Sequence, residues 1–204
     1  MGADKFKFMS KAFAYQNSAL MVVDLQNDFC PGGSLAVPEG DLIVADINSL
    51  AKKFAQANRP VFYSKDSHPK DHVSFTHCGG PWPSHCVTDT WGWEFHPALE
   101  VVADAMVLYK GYAQNKDDYS VFAGTLQMQP NSESTTSLLG KYEVTRLFIC
   151  GLATDYCVKA TAADSLLAGF ETTVLQSACR GVNLEPGDSN AALGELESKG
   201  ARIL

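Results

Sequence analysis

The sequence predicts an α/β fold, an open doubly wound and mostly parallel six-stranded sheet with helices on both faces. Three observations carry that prediction. Short apolar, β-type runs alternate with stretches of helical periodicity. The runs are apolar on both faces, as strands buried on both sides of a parallel sheet must be. A repeated strand–helix–strand order joins parallel strands through right-handed crossovers.

The elements follow in chain order. Residues 19–23 are a continuous apolar run that ends in Asp24, the first strand. Residues 41–58 set Ile43, Ile47, Leu50, Phe54 and Ala57 on one face, which predicts a helix. Residues 60–63 are the second strand, ending near Asp66, and residues 106–109 the third, ending at Lys110. The fourth strand spans 146–150 and is stopped by Gly151; a helix over 157–167 follows, capped by Thr154 or Asp155 and closed by Gly169. Residues 172–175 are the fifth strand, 188–199 a helix stopped by Gly200, and 201–204 the sixth strand. Two segments break the alternation. Residues 67–97 are rich in Pro, Gly, His and Trp, and residues 111–137 are polar with a Ser/Thr cluster at the end. Loops this long in a compact domain are usually functional or disordered. No repeat or linker divides the chain, so residues 1–204 read as one domain with a loop over about 66–97.

Composition narrows the function. With 46% hydrophobic and 19% charged residues in 204, the chain has enough apolar material for one large core, which excludes disorder. A net charge of −7 disfavours a nucleic-acid partner. No apolar stretch reaches the roughly 18–20 residues of a membrane span. Six cysteines without a paired C-x-x-C pattern fit neither a disulfide scaffold nor a zinc ribbon, and favour a reducing compartment. Lys5, Lys7 and Lys11 precede only a broken apolar stretch, and Gly2 lacks the Ser or Thr that myristoylation wants at position 6, which is Phe6. Ala201-Arg202-Ile203-Leu204 match no retention or import signal. The expected setting is the cytoplasm.

In open α/β sheets ligands bind at the carboxyl ends of the strands. Asp24, Asp66 and Lys110 end three predicted strands, and Cys157 lies just past a fourth at a helix start. Four ionisable or nucleophilic residues on one edge mark a site. A thiol at a helix N-terminus meets the positive end of the dipole, which favours the thiolate, and nearby N–H groups can receive an oxyanion. The other reading is a small buried hydrophobe. Asp24 and Lys110 are either a structural ion pair or, with Cys157, a triad. In the triad Asp24 takes the thiol proton, while Lys110 keeps Asp24 ionised and favours the thiolate. Cys30, Cys78, Cys86, Cys150 and Cys179 lack such a setting.

A third cluster runs from Asp66 through His68 and His72 to Trp82 and His85. Asp66 and His68, two apart in extended chain, point the same way. With His85 they form a two-His, one-carboxylate set that leaves coordination positions open; solvated loop histidines are the alternative. His72 is a candidate fourth contact. A zinc site through Cys78, His85 and Cys86 has poor geometry, and His77 and His96 read as surface residues.

Several motifs stand in one order along nearly the whole chain. They are Val23-Asp24-Leu25-Gln26-Asn27-Asp28-Phe29, Gly32-Gly33-Ser34-Leu35, Asp66-Ser67-His68-Pro69, Trp82-Pro83-Ser84-His85-Cys86-Val87, Tyr109-Lys110-Gly111, Tyr119-Ser120-Val121-Phe122 and Gly151-Leu152-Ala153-Thr154-Asp155-Tyr156-Cys157-Val158. In this combination the sequence resembles the nicotinamidase/pyrazinamidase branch of the isochorismatase-like cysteine hydrolases. The metal cluster separates that branch from isochorismatases and carbamoyl-amine amidases.

The resemblance implies a Rossmann-like three-layer fold and a triad of Asp24, Lys110 and Cys157. It implies Asp66, His68 and His85 as ligands of one divalent metal, zinc first, with iron or manganese also suited; His72 matches a fourth ligand found in some members. It implies a cis peptide between Leu152 and Ala153, with the N–H groups of Ala153 and Cys157 aimed at an oxyanion. Phe29, Leu35, Trp82, Tyr119, Leu152 and Tyr156 would wall the substrate pocket. The implied reaction hydrolyses nicotinamide to nicotinate and ammonia through a thioester, within NAD salvage, in a protein that self-associates. The alternatives are a related cysteine hydrolase acting on another primary amide or carbamoyl substrate, a non-catalytic ligand-binding relative, and a redox protein using Cys157 with a resolving cysteine.

Overall fold

A computed structural model describes residues 16–204. The readings at Gly2, Lys5, Phe6, Lys7 and Lys11 lie outside the described residues. The elements are β1 (Ser18–Val23), α1 (Val44–Gln56), β2 (Val61–Asp66), β3 (Met106–Lys110), α2 (Thr135–Lys141), β4 (Arg146–Leu152), α3 (Lys159–Leu167), β5 (Glu171–Arg180), α4 (Asp188–Ser198) and β6 (Arg202–Ile203).

The six strands form one sheet in the order β3-β2-β1-β4-β5-β6, and every pairing is parallel. The chain winds outward from β1 to β3, then returns to β4 beside β1 and winds the other way. Right-handed crossovers therefore put α1 on one face and α3 and α4 on the other. The reversal between β1 and β4 leaves a crevice at their carboxyl ends, where doubly wound sheets bind ligands.

The centre of the sheet is apolar on both sides. Ala19, Leu20, Met21 and Val23 of β1 and Leu147, Ile149 and Cys150 of β4 have no exposed surface. α1 packs through Val44, Ile47, Leu50, Ala51 and Phe54, the 3–4 spacing that the periodicity predicts.

Four differences from the expected elements have local causes. β4 does not stop at Gly151: Gly151 pairs with Cys179, and Leu152 with Arg180, after an irregularity in register. At Gly151 φ is +115°, and a Cβ would collide with the main chain of Val23, so only glycine lets β1 and β4 approach there. β5 accordingly runs to Arg180, well beyond its apolar stretch. The helix after β4 begins as a π turn over Thr154–Val158, uncapped by any side chain; Asp155 instead accepts hydrogen bonds from the Val182 and Asn183 N–H groups. Within 111–137, α2 is an unexpected short helix capped by Ser134, whose hydroxyl accepts from the Ser137 N–H.

Candidate active site

β1 ends at Val23, and Asp24 turns into the left-handed region with φ of +46°. This sends a fully buried carboxylate into the crevice rather than along the strand. Ser64, in the middle of β2, holds it twice. The Ser64 hydroxyl accepts from the Asp24 N–H at 3.1 Å and donates to Asp24 Oδ1 at 2.6 Å. Lys110, the last residue of β3, reaches across β2. Its Nζ lies 3.0 Å from Asp24 Oδ2, 2.9 Å from Asp66 Oδ1 and 3.5 Å from Cys157 Sγ. Asp24, Lys110 and Cys157, predicted from two strand ends and a helix start, thus meet around one ammonium group.

The electrostatics follow from burial. Desolvation raises the Asp24 carboxyl above its ordinary value, with Lys110 opposing. Burial would lower Lys110, but Asp24 and Asp66 outweigh it and hold the ammonium charged. Burial also pushes the Cys157 thiol well up; Lys110 pulls it down, and Asp24 and Asp66 push it further up. The helix start therefore does not by itself make a thiolate, as the sequence alone suggested. Asp24 is the carboxylate beside this raised thiol.

Asp66 ends β2, and its main chain is fixed by Gln26. The Gln26 carboxamide accepts from the Asp66 N–H at 2.8 Å and donates to the Asp66 carbonyl at 2.9 Å. Asp66 Oδ2 lies 2.9 Å from His68 Nε2 and 3.6 Å from His85 Nε2. One donor atom from each of these three buried residues lies within 4.8 Å of the others. The outer ring nitrogens are held by carbonyls: His68 Nδ1 by Gly111 at 2.9 Å and His85 Nδ1 by Pro83 at 2.8 Å. Such bonds put the proton on Nδ1 and leave Nε2 free to ligate. Gly111, at φ of +69°, packs so closely that a Cβ would stand 2.6 Å from His68 and 2.7 Å from Asp66. A carboxylate and two imidazoles with inward Nε2 atoms fit a divalent transition metal.

His72 is placed otherwise. Its Nδ1 is 2.7 Å from the Ser74 hydroxyl and its Nε2 2.9 Å from the Lys116 carbonyl. It stacks on His68 with ring centroids 4.0 Å apart, buttressing a donor instead of joining the set. Cys78 is exposed, apart from the cluster, and His77 and His96 bond to nearby main chain.

Above Cys157 opens a small cavity lined among others by Phe29, Leu35, Trp82, Tyr119 and Tyr156, with Asp66, His85 and Ala153. Trp82 and Tyr156 meet edge to face at 5.1 Å, and Trp82 Nε1 donates to the Tyr119 hydroxyl at 2.9 Å. Leu152 does not line it: the side chain is fully buried in β4 against Gly40. The Leu152–Ala153 peptide bond is cis. Sequence reasoning missed Val37 and Val182, which complete the wall. It also missed Gln26 and Ser64, although Ser64 lies two residues before Asp66 and so on the same pleat face.

Comparison with known proteins places this geometry. An isochorismatase domain matches residues 18–204. The chain belongs to the isochorismatase family. Within it the chain falls in the nicotinamidase/pyrazinamidase group of hydrolases. It is 40% identical over 200 residues to a nicotinamidase of Escherichia coli (strain K12), covering 91% of this chain and 93% of that one. It is 36% identical to a nicotinamidase/pyrazinamidase of Mycobacterium tuberculosis, over 91% and 97% of the two chains. The crystal structure of a pyrazinamidase of Pyrococcus horikoshii in complex with zinc superposes with a TM-score of 0.82 at 40% identity, covering 92% of this chain and 98% of that one. As an isochorismatase-family chain, the protein has the expected six-stranded α/β fold.

Proposed function

We infer that this chain hydrolyses nicotinamide to nicotinate and ammonia through a Cys157 thioester. One observation carries the reading: Cys157 and the metal-donor residues Asp66 and His85 open onto the same apolar cavity, with Asp24 and Lys110 beneath. A flat heteroaromatic amide fits walls of this kind. The relatives named nicotinamidase support the same substrate.

Asp66, His68 and His85 would hold the metal. A divalent cation bound there supplies an open coordination position for a ring nitrogen and so a fixed pose for the ring. The chain's own residues do the rest. Asp24 takes the proton from Cys157, and Sγ attacks the amide carbon. The Ala153 and Cys157 N–H groups receive the oxyanion. Asp24 then returns its proton to the amide nitrogen; the C–N bond breaks and ammonia leaves. A water enters, Asp24 takes its proton, and attack on the thioester breaks the C–S bond. The sulfur regains the proton and nicotinate departs. Lys110 stays charged throughout and offsets the negative charge that passes between Asp24 and Cys157. In this reading the activity belongs to NAD salvage in the cytoplasm, in a protein that self-associates.

Replacing the nucleophile tests the assignment. Cys157→Ala should lower turnover by about 10⁴-fold or more while zinc content by elemental analysis stays that of the parent. Substantial residual turnover would reject Cys157 as the nucleophile.

A further inference from the structure

Ser64 has no place in the reaction as described, yet it makes two bonds to the base. Its hydroxyl is fully buried and has one proton to give. The Asp24 N–H points at Ser64 Oγ from 3.1 Å, so that bond can only be accepted by Ser64. The single hydroxyl proton is then directed along the other contact, the 2.6 Å bond to Asp24 Oδ1. Oδ1 is thereby committed as an acceptor. Oδ2 differs: it is buried, it has the Lys110 ammonium at 3.0 Å, and among the described residues no hydrogen bond with regular geometry ends on it. The two carboxylate oxygens are chemically alike in water and inequivalent here.

We propose that Ser64 is a positioning residue that occupies Asp24 Oδ1 and so reserves Oδ2 as the atom that exchanges protons with Cys157 and the leaving group. The proposal rests on the cysteine-amidase reading for its leaving group. The assignment itself follows from the ring formed by the Asp24 N–H, the Ser64 hydroxyl and Oδ1. The ring also explains how a non-glycine residue is held at φ of +46° without a partner from the strand ladder. With the hydroxyl gone, the carboxyl is free to turn and carries its proton on either oxygen. Oδ2 is the oxygen beside the Lys110 ammonium, which also contacts Cys157 Sγ, so a proton carried on Oδ1 is displaced from that shared contact.

Three variants of the zinc-loaded protein test this: Ser64→Ala, Ser64→Thr, which keeps the hydroxyl, and Ser64→Cys, which offers only a weak donor. The expected result is a fall in kcat of about 10–100-fold for Ala and Cys, a fraction of what a positioned base contributes. KM for nicotinamide and zinc content stay within about twofold, and Thr recovers most of the rate. The rate of Cys157 alkylation by iodoacetamide, which needs no amide substrate, should fall in the same order. If the parent does not turn over nicotinamide, the substrate reading fails, and the alkylation order alone decides the role of Ser64. The proposal is overturned if Ala and Cys alkylate and turn over at parental rates. It is equally overturned if Thr is as impaired as Ala, or if the loss appears in KM and zinc content instead of kcat.

Discussion

Asp24 joins a strained backbone, a buried charge and a bond to the neighbouring strand in one residue. Burial raises its carboxyl above the ordinary carboxylate value of 3.8, with Lys110 opposing. The sign of the pH dependence follows. As pH falls through that raised value, Asp24 gains a proton and can no longer accept one from Cys157, whose own thiol stays protonated. The acid limb of kcat/KM should therefore lie above 3.8; a pH–rate profile with its limb at or below that value would contradict the account. The positions of Asp24, Asp66, Lys110 and Cys157 were legible because strand ends in an open α/β sheet converge on one edge. Their electrostatic setting needed the structure. The thiol's environment sums burial, one ammonium and two carboxylates from four strands, and no local sequence signal contains that sum.

At the scale of elements, the end of β2 and the connection that follows it carry the metal-donor group, and Gly111, just after β3, packs against it. Gly111→Ala would place a methyl against His68 and Asp66 at a positive φ. The expected cost is about 1–2 kcal/mol of stability for the backbone alone, with weaker zinc retention during dialysis against a chelator. Parental zinc retention would show that the close approach is not required. The strands and α1 were legible from continuous apolar runs and 3–4 spacing. α2 was not, because Thr135-Thr136-Ser137-Leu138-Leu139-Gly140-Lys141 is short, β-branched at its start and interrupted by glycine. The far half of β5 was hidden for another reason. Gln176-Ser177-Ala178-Cys179-Arg180 is no apolar run; its pairing comes from β4, which continues through Gly151.

Across the whole molecule, the sheet is the rigid frame that brings residues distant in sequence within hydrogen-bond reach. β1 is central to it: Leu20 pairs with Val61 on one side and Phe148 on the other and is fully buried. Leu20→Ala should cost about 2–5 kcal/mol in denaturant unfolding, with secondary structure retained; a loss under about 1 kcal/mol would mean the sheet centre is not the core described. The parallel, doubly wound character was readable from the alternation of elements, since right-handed crossovers leave few topologies; the strand order and the place of the reversal come from the structure. Among the described residues no helix is long and apolar enough to cross a membrane. The measurement that tests the central claim most directly is ammonia release from nicotinamide by the purified, zinc-loaded protein at neutral pH, followed beside Cys157→Ala. The account predicts stoichiometric ammonia and nicotinate from the parent and none above background from the variant. No release from the parent, or equal release from both, would contradict it.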